Sequence, residues 1–248
     1  MRRYFFTIAY RGTNYHGWQK QPNAMGVQQK VEEIFSVILN QPIAIMGSGR
    51  TDSGVHATQQ VFHLDLKETV QVDQLLYNAN KMLPKDVALL GVKTVKSEAH
   101  ARFDAISRSY QYKIITQKDP FSDDLAYYFT LKLDVEKMNK AAKILLEFRD
   151  FESFSKVKTD AFTFNCEIFE AEWKQVHEAL VFHISANRFL RGMVRAIVGT
   201  LLEVGMNRIS VEDFRQIIAK KNRQAAGRAV PAHGLFLTEV KYPDEIYF

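Results

Sequence analysis

Cysteine is nearly missing from this chain of 248 residues: there is one, Cys166. A disulfide framework and a cysteine-rich zinc site are therefore both excluded, and a reducing, cytoplasmic compartment fits. No apolar run approaches the ~18–20 residues that a membrane span needs. Low-complexity tracts and Ser/Gly linkers are missing as well. The opening "MRRYFFTIAY" has no long apolar core and no small-residue cleavage site, so it reads as a first strand and not as a signal peptide. What the chain does have is enough apolar material for a core, 46% of its residues, which excludes wholesale disorder. Its net charge of +5 and pI of about 9.1 permit a polyanionic partner without requiring one.

Hydrophobic periodicity places a repeated order of elements along the chain. Residues 3–10 read as a strand. Residues 26–40 read as a helix, with Val27, Val31, Ile34, Phe35, Ile38 and Leu39 on one face. Two apolar runs follow at 42–47 and 60–66, then a helix over 72–83 that Pro84 stops, then a strand over 87–95. The second half repeats the pattern. A strand over 109–117 precedes a helix that Asp134 caps and that carries Val135, Met138, Ala142, Leu145 and Leu146. A strand pair covers 167–175 and 179–186, and a long helix spans 188–204. Ser210 and Asp213 form a capping box for one more helix, and a final strand covers 234–242. The expected fold class is α+β: two β-α-β-β-α-β halves, each ferredoxin-like, with their boundary near residues 98–106. The expected domains are 1–104 and 105–248, with a joined sheet and a cleft between them.

Three stretches could carry chemistry. The first is "GSGRTDSGVHA", residues 47–57, which sets Arg50, Asp52 and His56 among three glycines. Asp52 beside a glycine either makes an Asx-turn or, kept ionised and oriented by Arg50, acts as a nucleophile or base. Asp52, His56 and His63 have a D-x3-H-x6-H spacing that matches no compact metal site, so one turn histidine and one strand histidine is the simpler reading. The second stretch is "NRFLRGMVRAIVGTLLEVG", residues 187–205. Phe189, Met193, Ile197 and Leu201 run down one stripe, and Arg188, Arg191 and Arg195 are expected to share another face. That face is either solvated or a row of planar donors for phosphate or carboxylate. The third is "ARFDAISRSYQYKI", residues 101–114, with Tyr110 and Tyr112 on one strand face beside Arg102, Arg108 and Lys113. Such tyrosines either pack in a core or stack an unpaired base, worth ~1–3 kcal/mol per base. Basic clusters at Arg2, Arg3, Arg11 and Lys20, and at Lys220, Lys221, Arg223 and Arg228, extend the cationic surface.

Together these stretches resemble the TruA family of tRNA pseudouridine synthases. "GRTDSGVHA" is close to the family's GRTDAGVHA. "YRGTNYHGWQKQ" at 10–21 resembles its N-terminal Y-x-G-T-x-[FY]-x-G-W-Q-x-Q segment, and "ARFDAISRSYQY" its A-R-F-x-A-x-x-R-x-Y-x-Y stretch. "FLRGMVRAIVGTLLEVG" and "VPAHGLFLTEVKY" resemble its F-L-x-x-M-V-R-x-I-V-G-x-L and closing A-P-A-x-G-L-x-L segments. Five motifs in the right order span nearly the whole chain. The family's H-A-x-G-Q-V reads "HATQQV" here, with Gln59 where glycine is usual. Residues 155–173 lack the family's T-V-R-T-I pattern, and Glu167 stands where an arginine is common.

The resemblance implies two pseudo-symmetric halves around an antiparallel sheet with an RNA-binding cleft, and a homodimer that grips tRNA. It implies isomerisation of uridine to pseudouridine in the anticodon stem-loop, at tRNA positions 38, 39 and 40, with no cofactor and no metal. Asp52 then matches the catalytic aspartate, and Arg195 the basic residue paired with it. Tyr110 matches the tyrosine that stacks on the target base, and Arg50 the motif arginine, placed on the RNA or the flipped nucleotide. Arg188 and Arg191 are expected to bind substrate. The base must leave its stack, at a cost of a few kcal/mol. The carboxylate then either attacks C1′ or takes a proton from C2′, and residue identities leave both routes open. Alternatives are a paralogue acting on other RNA and a non-catalytic tRNA-binding or folding module. A glycosidase-like hydrolase would need a second carboxylate to activate water, and the motifs offer none.

Overall fold

A computed structural model describes residues 1–67, 69–157 and 162–248. The elements in chain order are β1 (Arg2–Tyr10), α1 (Val27–Leu39), β2 (Met46–Gly47), β3 (His56–Leu66), α2 (Val72–Met82), β4 (Val87–Val95), β5 (Ser107–Ile115), β6 (Tyr127–Tyr128), α3 (Val135–Ile144), β7 (Ile168–Val176), β8 (Ala179–Ala186), α4 (Met193–Gly205), α5 (Val211–Ala219) and β9 (Leu235–Lys241). The fold is α+β with mostly antiparallel pairing. Two compact units form, one from Met1–Ser107 with Phe236–Phe248 and one from Arg108–Leu235. No helix among the described residues is long and apolar enough to cross a membrane.

In the first unit β1 lies between β3 and β4 and pairs antiparallel with both. A central strand is covered on both faces, which is why the run Tyr4-Phe5-Phe6 is buried without alternation. On one face the Phe6 ring stacks on Phe62 at 5.2 Å and meets the edge of Phe35 on α1 at 5.4 Å. On the other, Phe5 meets Tyr242 at 4.9 Å, so the residues after β9 close that side. β9 also pairs in parallel with the start of β3, Phe236 opposite His56. β3 gains one residue relative to β1 between the pairs Ile8–Gln60 and Tyr10–Ala57. This bulge falls at Thr58–Gln59. Gln59 is not among the positive-φ residues, so a side chain is accommodated where glycine was expected.

The apolar run 42–47 forms a strand only at Met46–Gly47. The correction has a local cause: side chains of α1 satisfy the backbone before it. Ile43 N–H donates to Ser36 Oγ at 2.9 Å. Ile45 N–H donates to Glu32 at 3.1 Å, and its carbonyl accepts from Gln28 at 3.1 Å. With those groups taken, no partner strand is needed.

In the second unit β8 lies between β5 and β7, antiparallel to each, and β6 joins β5 in parallel. Asp134 caps α3 by accepting from Lys137 N–H. Ser210 and Asp213 form the expected capping box on α5. The expected helix over 188–204 begins only at Met193. Gly192 precedes it at φ +72°, a left-handed conformation through which a helix cannot run. Eleven of the thirteen residues of α4 are buried, Arg195 and Glu203 being the exceptions. A helix that is apolar nearly all round is an interior helix.

Candidate active site

Asp52 lies on the loop between β2 and β3, and the segment 10–18 forms the bed of that loop. Tyr10 Oη and Thr51 Oγ1 share a buried hydrogen bond of 2.8 Å. Trp18 N–H donates to the Thr51 carbonyl at 3.2 Å. The Tyr15 carbonyl accepts from the Ser53 hydroxyl and from Gly54 N–H, each at 3.3 Å. Gly17, at φ +90°, lies so close beneath that a Cβ there would stand 2.5 Å from the Thr51 carbonyl oxygen. The Asp52 carbonyl closes the turn by accepting from Val55 N–H at 3.1 Å. The bed is itself anchored, since Tyr15 and Asn14 both donate to the Asp86 carboxylate at 2.9 Å. Asp52 is half-buried and Arg50 exposed on the same loop.

The remaining candidates belong to the second unit. Tyr110 on β5 faces Ile184 of β8 and meets the Phe189 ring edge-on, 5.1 Å between centroids. It is half-buried. Tyr112, two residues along, is fully buried and donates to the Pro231 carbonyl at 2.9 Å; burial pushes its phenol well above the usual range. The two tyrosines thus have different environments: Tyr112 is a core residue, and Tyr110 keeps access to solvent. Arg108 donates to the Asn187 carbonyl at 2.8 Å and so ties the 187–192 turn to β5.

The three arginines do not share a helix face. Arg188 and Arg191 precede Gly192 and lie on the turn, while only Arg195 is on α4. Arg195 Nε donates to the Val230 carbonyl at 2.7 Å, and Val230 N–H donates back to the Arg195 carbonyl at 3.2 Å. Arg188 is half-buried near Cys166, where its charge opposes the burial that pushes the thiol up to about 11. Arg191 is exposed, and its carbonyl accepts from Lys156 N–H at 3.1 Å. Glu167, in the stretch that departs from the family pattern, pairs with Arg149 at 2.9 Å. Residues 158–161 of that stretch lie outside the described residues.

His56 and His63 have separate partners. His56 is buried, accepts from Gly12 N–H at 2.9 Å and stacks on Phe236. His63 accepts from Ala101 N–H at 3.0 Å. Burial, helped by the charge of Arg3, pushes His63 down to about 4 from an ordinary 6.5. Between those values the unfolded chain takes up a proton that the folded chain refuses. Stability is therefore expected to fall as pH drops from 6.5 towards 4, by about 1–2 kcal/mol after allowing for partial exposure. His63→Gln, which keeps an acceptor for Ala101, is expected to flatten that fall in urea midpoints between pH 7 and 4.5. An equal fall in both proteins would assign the effect to other groups.

Motif reading singled out the segment 10–21 as a whole but assigned Tyr10, Gly17 and Trp18 no part in holding the loop. The available signal was the density of aromatics and glycines over 10–18.

A family model described as tRNA pseudouridine synthase matches residues 7–104 and 141–243. A tRNA pseudouridine synthase A of Parabacteroides distasonis is 50% identical over 248 residues, covering 100% of this chain and 98% of the relative. That of Porphyromonas gingivalis is 49% identical over 251 residues, covering 100% of each. That of Bacillus subtilis is 38% identical over 240 residues, covering 95% of this chain and 97% of the relative. With both halves of the chain matched and identity sustained over its full length, the chain belongs to the tRNA pseudouridine synthase family of isomerases.

Proposed function

We propose that the chain converts uridine to pseudouridine at positions 38–40 of the tRNA anticodon stem-loop, with Asp52 as the carboxylate that works at the sugar. The observation that carries this reading is the seating of the Asp52 loop on segment 10–18. Backbone and hydroxyl contacts at Thr51, Ser53 and Gly54 hold the loop on both sides of the aspartate, as positioning of a reacting group requires. Relatives that share up to half of its residues and carry the name tRNA pseudouridine synthase A support the substrate class.

In this reading the uracil N1–C1′ bond breaks, the base turns over and a C5–C1′ bond forms. The C5 proton leaves to solvent and N1 takes one up. Tyr110 stacks on the flipped base, and Arg195 is the basic residue paired with the aspartate. Arg50, Arg188 and Arg191 hold the RNA through planar donors to phosphate. The two halves, 1–104 with the aspartate loop and 105–248 with the tyrosine and arginines, are ferredoxin-like units of a cytoplasmic homodimer that needs no cofactor.

The test is tritium release from tRNA transcripts carrying C5-tritiated uracil. Release is expected from transcripts with uridine at 38, 39 or 40 and lost when cytidine replaces it there. Release that survives this replacement would move the target site. No release from any tRNA would overturn the proposed activity.

A further inference from the structure

The tip of the Asp52 loop is held by segment 10–18, but its stem is held differently. Gly49 has open space around it: a Cβ built there would meet nothing within 4 Å. On the side where a Cβ would project, packing therefore does not hold the peptide that leads into Arg50-Thr51-Asp52. A single side-chain amide bridges it. Gln60 on β3 is fully buried, and its Nε2 donates to the Gly49 carbonyl at 3.0 Å. Its Oε1 accepts from the Ser48 hydroxyl at 2.5 Å. A carbonyl can only accept, so the amide nitrogen must face Gly49 and the oxygen must face Ser48. Ser48, itself buried, donates its N–H to the Val61 carbonyl at 2.7 Å. The stem is thus clamped to β3 at two consecutive residues, in a site with little access to replacement water.

We infer that Gln60 is a positioning residue for catalysis: its buried amide sets the stem of the loop and thereby the place of the Asp52 carboxylate relative to the sugar. This rests on the proposed role of Asp52. The bulge at Thr58–Gln59 fits the same role, since one added residue re-aims a strand next to a site. Small displacements of a reacting group are costly, about 10²-fold for an ångström.

The experiment is single-turnover tritium release at saturating tRNA with the full chain, alongside tRNA affinity. Single-turnover rate constants do not scale with the fraction of folded protein. Gln60→Met keeps the volume and removes both hydrogen bonds. It is expected to slow release by about 10–100-fold with tRNA Kd within twofold of wild type. Ser48→Ala removes only the donor to Oε1; should Gln60→Met fail to fold, it carries the test, with an expected slowing of about fivefold. Wild-type rates in either variant, or a loss confined to Kd, would overturn the inference while leaving the proposed activity intact. A wild-type protein that releases no tritium would overturn that activity and this inference with it.

Discussion

Asp52→Ala is expected to abolish tritium release, by about four orders of magnitude, while tRNA affinity changes only a few-fold. The magnitude is that of removing the central member of a catalytic set. The separation of turnover from binding follows from how the loop is built. Asp52 closes its turn through its own carbonyl, to Val55 N–H. The contacts that seat the loop come from Thr51, Ser53 and Gly54. Truncating the carboxylate leaves all of these in place. Asp52→Asn, which keeps shape and removes charge, is expected to be as inactive as the alanine variant. Release assays beside filter binding decide the matter. Turnover retained in a clean preparation of either variant would remove Asp52 from the chemistry. A loss of binding as large as the loss of turnover would make it an RNA contact.

Arg195→Ala is expected to slow single-turnover release by about 10²–10³-fold, the scale of removing one electrostatic stabiliser, with a smaller loss of affinity. Arg195→Lys is expected to rescue little. The Nε of Arg195 is committed to the Val230 carbonyl at 2.7 Å, and a guanidinium has further nitrogens to act elsewhere. A lysine has one nitrogen and cannot both anchor and reach. The anchor is also structural, so Arg195→Ala should cost about 1 kcal/mol of stability, which a denaturant titration would measure separately. A variant that loses affinity alone would make Arg195 a phosphate contact.

The elements that periodicity placed well are those with one apolar face or a local cap. Strand 87–95 coincides with β4, and the α5 capping box forms between the two residues that signalled it. Misplacement occurred where a distant partner or a backbone conformation outweighed the pattern. Residues 42–47 look like a strand, but Gln28, Glu32 and Ser36 on α1 occupy the backbone groups a neighbouring strand would have used. Residues 188–191 continue the helical spacing of α4, but Gly192 is left-handed and breaks it, so Arg188 and Arg191 are parted from Arg195. The alternation that put Tyr110 and Tyr112 on one face says nothing of what covers each. Pro231, 119 residues further on, accepts from Tyr112 and makes it core. The short β6 carried no periodic signal at all.

The sequence alone determined the α+β class, most element positions, and a compact aspartate loop whose residue types and order identify its family. Those depend on local spacing, turn chemistry and motif identity, which a linear chain displays. Tertiary structure alone decided what grips that loop: Tyr10, Trp18 and Gly17 at its tip and Gln60 at its stem. These contacts join residues that are distant in sequence or separated by a bulge. Their hydrogen bonds depend on where folded strands place a carbonyl and an amide, and no one-dimensional pattern encodes that placement.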